Sequence, residues 1–274
     1  MHIMNRLLAR LGLCPGIPGI QRLPAELRVV ARQLVSDETP PGWQPLSSSA
    51  QARVARGTWQ GRDVVLKVFL PRSPLELLKS LFRGSRGVRA ARRGRDLEAD
   101  GFHAPPVLAH GWDGTREILL MQAVPGDSLL RLCSRRLGAP QLPLPERRKL
   151  LRDFGTFVGR LHEGSWVHGD LRLGNTLWDA ERQGFVLLDN ESNQRSSKRE
   201  SQRTNLVQLN MIAPQYLSRS DRLRVLAGYA AERRLDSRQR KALARQVAAD
   251  TLERWQQRAA RGGPRPRHWV GSSG

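Results

Sequence analysis

A chain of 274 residues with 46 lysines and arginines against 25 acidic residues carries a formal charge of +21, and 39% of it is hydrophobic. No run reaches the roughly 18 apolar residues that a membrane-spanning helix needs, so none is expected. Neither of its two cysteines, Cys14 and Cys133, has a metal-ligand or redox spacing, and both read as ordinary thiols of a reducing cytoplasm. A field of this sign draws polyanions such as nucleic acid, acidic lipid headgroups or phosphorylated sugars, but does not define a fold. Aromatic residues make up only 5%, and no stacking platform or base-reading motif is visible, which argues against nucleic acid.

The first 19 residues, MHIMNRLLARLGLCPGIPG, contain arginines inside a short apolar stretch, which does not fit a secretory signal. Two readings stay open there: a frayed or packed terminus, and a short amphipathic helix lying on a membrane surface. Residues 36–50 read as loop and turn. Two β-rich runs then flank QGRD, predicting a hairpin whose second strand, Val64 to Leu70, carries Lys67 at its middle. Residues 72–100 are basic and predict a helix. EILLMQAV predicts a buried strand, and the PGDS that follows predicts a turn and a helix start.

From Pro145 onward the pattern is helical. Leu150, Phe154, Phe157, Val158 and Leu161 fall on one helical face, which ends near Gly164. NTLWDAERQGFVLLD then predicts a small hairpin. Residues 205–260 read as helical, with Ala244, Val247, Ala248, Leu252 and Trp255 as the inner face. The residues from 261 to 274 read as a flexible basic tail. The chain therefore divides into an N-terminal extension (1–44), a strand-rich lobe (45–124), a helical lobe (125–260) and the tail.

Between the long helix and the small hairpin lies VHGDLRLGN, which places His168, Asp170 and Asn175 on one polar loop, with Asp189 at the end of the next strand. Phosphoryl transfer needs a fixed cation on the nucleotide phosphates, hard oxygen ligands for Mg²⁺, and a carboxylate to take the acceptor's proton. Lys67 for the cation, Asn175 and Asp189 for the oxygen ligands and Asp170 for the carboxylate supply candidates for these roles, in the order that protein-kinase-like enzymes use.

HGDLRLGN resembles the catalytic loop of the protein-kinase-like superfamily. VVLKVF resembles its lysine strand, LLDNE its metal-binding strand end, and MQAVPGDSL its interlobe hinge. Within that superfamily, LFRGSRGVRAARRGRDLEADGFHAPPVLAHG, RTNLVQLN and SRSDRLRVLAGYA resemble the bacterial lipopolysaccharide core kinases that phosphorylate Kdo or heptose. The resemblance covers about residues 45–235. It implies an α+β, bilobal protein-kinase-like fold with a β-rich N-lobe and a helical C-lobe, using ATP and Mg²⁺.

The resemblance also implies roles for individual residues. Asp170 orients the acceptor hydroxyl and acts as base, Asn175 and Asp189 bind Mg²⁺, and Lys67 contacts the ATP phosphates. His168 braces the loop and Arg172 reaches the γ-phosphate. Glu98 partners Lys67, while Gln122 and Val124 in the hinge meet the nucleotide. Residues 189–191 read Asp-Asn-Glu rather than Asp-Phe-Gly, and no Gly-x-Gly-x-x-Gly precedes Lys67. Strand order puts the phosphate-covering loop at Ser47–Ser49.

The implied partner is an anionic glycolipid or sugar acceptor, met at the cytoplasmic face of the inner membrane. The arginines at 83, 86, 89, 92, 93 and 95 either meet anionic lipid phosphates there or form a solvated helix face. Two other functions stay open: a protein Ser/Thr kinase or small-molecule phosphotransferase, and a nucleotide-binding scaffold without catalysis.

Overall fold

The computed structural model describes residues 17–71, 84–133, 142–212 and 216–262. The terminal segment through residue 16, Arg83 and the tail from residue 263 lie outside the described residues. The chain divides after Pro125 into two compact units.

The first unit is built on a sheet with the order β1 (Gln21–Arg22), β5 (Val107–Asp113), β6 (Arg116–Gln122), β4 (Arg62–Phe69), β3 (Ala52–Trp59), β2 (Trp43–Leu46). β1 runs parallel to β5, and the remaining pairs are antiparallel. The predicted hairpin is β3–β4, turning at Gln60 and Gly61, both at positive φ. β2 falls in residues 36–50, expected as loop and turn, and carries Pro45. The structure makes it an edge strand, where a missing N–H costs no ladder bond.

Strand alternation gives the sheet two faces. Val64, Leu66, Val68, Ile118 and Leu120 point to one, where helix α1 (Ala25–Val35) seals them with Leu27, Ala31 and Leu34. These leucines are at most 4% exposed, and each contributes about 1.5–3 kcal/mol by leaving water.

The second predicted helix is α2 (Arg86–Ala99), capped by the Ser85 side chain. Its arginines are not one solvated face. Arg86 is buried, donates to the Gln51 carbonyl at 3.2 Å and lies over the Phe69 ring. Arg89 donates to the Gly84 carbonyl at 2.6 Å, and Arg93 lies 3.5 Å from Asp96. Of the six arginines of the expected basic cluster, only Arg92 and Arg95 are exposed among the described residues.

The second unit opens with β7 (Asp127–Ser128) and helix α3 (Leu129–Cys133), followed by the long helix α4 (Leu144–Glu163). The predicted inner face of α4 is buried throughout, and Phe154, Phe157 and Phe185 pack ring on ring. Beyond α4 come β8 (Trp166–Val167), the hairpin β9 (Thr176–Asp179) and β10 (Gly184–Leu187), and β11 (Gln194–Arg195), which pairs with β8.

Helices α5 (Arg199–Asn210), α6 (Arg219–Glu232) and α7 (Ser237–Ala260) complete the unit. α4 and α6 cross closely enough that a Cβ on Gly155 would stand 1.9 Å from the Val225 carbonyl oxygen, and one on Gly228 2.0 Å from that of Arg152. Arg147 on α4 donates to the Cys133 carbonyl and pairs with Asp221 on α6 at 2.5 Å, both side chains buried. The inner face of α7 differs from expectation. Val247, Thr251 and Trp255 are buried at strict i, i+4, i+8 spacing, which turns Ala248 and Leu252 outward.

Candidate active site

In the second unit the loop after β8 gathers the polar groups. A short 3-10 turn, Leu173–Asn175, feeds directly into β9, so Asn175 sits at the mouth of the β9–β10 hairpin. The ladder pairs Thr176 with Leu187, and the Leu188 N–H then donates to the Asn175 carbonyl at 2.9 Å. Asn175 and Asp189 therefore flank the same end of one hairpin. Two residues past the end of β10, Asp189 adopts a left-handed conformation (φ 61°, ψ 46°), which Asp tolerates better than most residues. A second 3-10 turn, Asn190–Ser192, follows.

Asp170 faces two donors. Arg172 Nε lies 2.6 Å from its Oδ1. Asn175 Nδ2 donates to its backbone carbonyl at 2.9 Å and to Oδ2 at 3.3 Å. With its nitrogen used this way, Asn175 keeps its amide oxygen as an acceptor or ligand.

His168 is 1% exposed. Its Nδ1 accepts the Asp170 N–H at 3.1 Å, and its Nε2 donates to the Leu188 carbonyl at 2.8 Å. A peptide N–H can only donate and a carbonyl can only accept, so these two partners fix the neutral tautomer. Burial lowers the pKa of the ring, against the pull of the Leu188 carbonyl, Asp189 and Asp170. His168 thus ties the loop to the strand end as a neutral brace and carries no exposed proton to transfer.

Side chains that sequence reasoning missed hold the rest of the loop backbone. Asn205 on α5 accepts the His168 N–H at 2.9 Å and donates to the His168 carbonyl. Gln208, one turn on, accepts the Leu171 N–H at 3.1 Å and donates to the Gly169 carbonyl at 2.9 Å. The Gly169 N–H goes to Asn193 Oδ1 at 3.3 Å. Their available signal was an Asn-x-x-Gln pair set among the apolar Leu206, Val207 and Leu209 of one helix.

In the first unit Lys67 is partly buried on β4, with its ammonium 4.9 Å from the centre of the Phe69 ring. The expected pairing with Glu98 is not what the structure shows. Glu98 sits in the last turn of α2, where its carboxylate accepts the Ala104 N–H at 2.8 Å and lies 3.6 Å from His103. Lys67 pairs with Leu119 and Phe69 with Glu117 across β4–β6, which puts Glu117 and Asp63 on the lysine's face of the sheet, and Asp63 pairs with Arg56. Glu117 is 3% exposed and accepts the Gly87 N–H at 2.8 Å, the Val88 N–H at 3.3 Å and the Ser85 hydroxyl, with His110 Nε2 at 2.8 Å. Gln122 ends β6 opposite Val64, with its N–H on the Pro106 carbonyl, and Val124 follows two residues later. Ser47–Ser49 fall in the β2–β3 connection, all exposed, with the Ser48 hydroxyl donating to the Ala52 carbonyl at 3.0 Å.

No cluster of three His, Cys, Asp or Glu side chains suited to a metal ion occurs among the described residues. One carboxylate, Asp189, and one amide oxygen, Asn175, are hard oxygen donors. They fit a Mg²⁺ ion that takes one or two protein ligands and completes its shell with phosphate oxygens and water.

A family model described as the lipopolysaccharide kinase (Kdo/WaaP) family matches residues 80–229, just over half of the chain. The KEOPS complex subunit Bud32 of Pyrococcus abyssi (strain GE5 / Orsay) is 34% identical over 95 residues, 35% of this chain and 40% of that protein. A probable bifunctional tRNA threonylcarbamoyladenosine biosynthesis protein of Methanothermobacter thermautotrophicus is 28% identical over 133 residues, 48% of this chain and 22% of that protein. The chain thus spans less than half the length of either curated relative. A solved structure of WaaP in complex with acyl carrier protein superposes with a TM-score of 0.53 at 16% identity, over 85% of this chain and 98% of that one. The α+β organisation, with a sheet-rich first unit and a helical second unit, is that protein-kinase-like fold.

Proposed function

The chain belongs to the lipopolysaccharide kinase (Kdo/WaaP) family, and on that footing we propose that it transfers the γ-phosphate of ATP to a sugar hydroxyl, Kdo or heptose, of the lipopolysaccharide inner core. The observation that carries the reading is the loop itself. Asp170 and Asn175 are hydrogen-bonded together, and His168 ties them to the strand end that bears Asp189. In this reading the Asp170 carboxylate orients the acceptor hydroxyl and takes its proton as the new phosphate ester forms. Arg172 shares its charge between Asp170 and the phosphate in transfer, a role for which a fork of donors is well suited. Lys67 binds the nucleotide phosphates, with Gln122 and Val124 beside the base. Bound Mg²⁺, held by Asn175 and Asp189, supplies positive charge against the phosphates.

The net charge of +21 supports an anionic acceptor and work at the cytoplasmic face of the inner membrane. Among the described residues no helix is long and apolar enough to cross a membrane. The test incubates purified protein with ATP, Mg²⁺ and dephosphorylated lipopolysaccharide, with and without acyl carrier protein, because the WaaP neighbour was solved with that partner. Asp170→Asn is expected to cut transfer by about 10²–10⁴-fold while melting stays unchanged. Transfer that survives the substitution overturns the assignment. The partial match to a KEOPS subunit supports one other reading, a phosphotransferase working inside a protein complex, and protein acceptors offered in the same assay separate the two.

A further inference from the structure

Behind the loop, the packed layer of α4 against α6 holds two polar side chains that no step of transfer uses. His162 is 1% exposed and Tyr229 4% exposed. The Tyr229 hydroxyl lies 3.1 Å from His162 Nδ1, and His162 Nε2 lies 3.3 Å from Asn205 Oδ1. Asn205 in turn carries the His168 N–H and carbonyl and reaches Gln208 Oε1 at 2.9 Å. One connected line of hydrogen bonds therefore runs from the α4–α6 interface to the peptide that precedes Asp170.

The direction of every bond in that line follows from the peptide. The His168 N–H only donates, so the Asn205 atom facing it is the oxygen. The His168 carbonyl only accepts, so the Asn205 atom facing it is the nitrogen. An oxygen at that position obliges His162 Nε2 to carry the hydrogen. His162 Nδ1 is then an acceptor, and the Tyr229 hydroxyl donates to it. Asn205 Oδ1 thus receives two donors and its nitrogen serves two acceptors, which leaves the amide a single orientation. Removing the Tyr229 hydroxyl frees the imidazole to change tautomer. A ring protonated on Nδ1 would turn a bare nitrogen toward Asn205 Oδ1, two acceptors facing each other, which a buried site disfavours.

We propose that Tyr229 and His162 are positioning residues for phosphoryl transfer, acting through the fixed amide of Asn205 on the loop that carries Asp170. The proposal rests on reading Asp170 as the group that meets the acceptor. It assigns a role in turnover to the α4–α6 interface, beyond the helix packing that the same residues provide. Their effect falls on the placement of Asp170 and not on the binding of nucleotide.

The experiment compares Tyr229→Phe, His162→Gln, His162→Leu and Asn205→Asp with wild type and with Asp170→Asn. Tyr229→Phe keeps the ring and its packing and deletes the hydroxyl that donates to His162 and meets Arg233. His162→Gln offers an amide that can donate to Asn205 and accept from Tyr229. Asn205→Asp keeps the acceptor and loses both donated bonds. Each variant is read by kcat, by KM for ATP, and by amide hydrogen exchange at His168 and Leu171.

Tyr229→Phe is expected to lower kcat about 10-fold and Asn205→Asp about 100-fold, the scale of an ångström-level misplacement, with KM for ATP unchanged. Exchange at both amides is expected to quicken, and His162→Gln to retain more turnover than His162→Leu. The exchange readout needs no acceptor, so it holds even when wild type shows no transfer to sugar, which would count against the proposed function alone. Unchanged exchange and kcat in folded Tyr229→Phe and Asn205→Asp overturn the positioning role. So does a fall in kcat matched by an equal rise in KM.

Discussion

Gly169 lies between His168 and Asp170, and its backbone is not in the left-handed region, so alanine is conformationally allowed there. Space is what forbids it. A Cβ on Gly169 would stand 2.2 Å from the Ser192 Cβ and 2.7 Å from the Ser192 carbonyl oxygen, where ordinary contact begins near 3.4 Å. Relief requires the loop and the 190–192 turn to part by 3.4 − 2.2, or about 1.2 Å. That movement separates the peptide before Asp170 from the turn after Asp189. Overpacking of this kind costs about 1–3 kcal/mol of stability, and an ångström of misplacement costs about 10²-fold in rate.

The assay is kcat for phosphate transfer alongside the urea unfolding midpoint of Gly169→Ala. Adding Ser192→Gly removes the 2.2 Å contact and leaves the 2.7 Å one, so part of both losses returns. Wild-type kcat in Gly169→Ala, or no recovery from the second change, refutes the reasoning.

Three further outcomes follow from buried groups and from the proposed role of Asp189. Burial, countered by Asn205 and reinforced by Arg233, lowers His162 from 6.5 to about 4. The unfolded chain therefore takes up a proton that the fold refuses, and stability is full above pH 6.5 and falls as the pH drops toward 4. The difference is worth a few kcal/mol, on the order of 3, and urea midpoints of wild type and His162→Gln are expected to differ in slope across that range. Arg147→Ala removes the buried arginine from Asp221, which keeps Arg224 at 3.3 Å and the Ser218 hydroxyl, and is expected to cost about 1–3 kcal/mol, read by chemical denaturation. Asp189→Asn is expected to raise the Mg²⁺ concentration for half-maximal transfer about tenfold or more, while thermal melting without metal stays unchanged.

The parts of the molecule that could be read from sequence share a local signature. The hairpin at Gln60 and Gly61, the buried face of α4 and the His-x-Asp-x4-Asn loop each arise from residues close in the chain, whose spacing maps directly onto a turn, a helical face or a tight polar loop. What escaped depends on distant partners. Asn205 and Gln208 are polar residues in a helix, and nothing within the helix says that they meet the backbone of a loop 37 residues away. Arg86 looked like surface charge, and only the register of β4 places the Phe69 ring beneath it. Glu98 is the lysine partner expected from sequence, and its carboxylate instead meets the Ala104 N–H and His103 in the turn after α2, contacts that helix patterning does not reveal. Thr251 is inward on α7 and Leu252 outward, the reverse of a reading by hydropathy.

α1 packs onto Val64, Leu66 and Val68, the residues that alternate with Lys67 along β4. A shortened gene product starting at residue 45, where the strand-rich lobe seemed to begin, would retain every candidate catalytic group. It would also leave one whole side of the sheet wet and sticky. Inclusion bodies from such a truncation would report a lost lid, and an inactive preparation from it would carry no information about the chemistry.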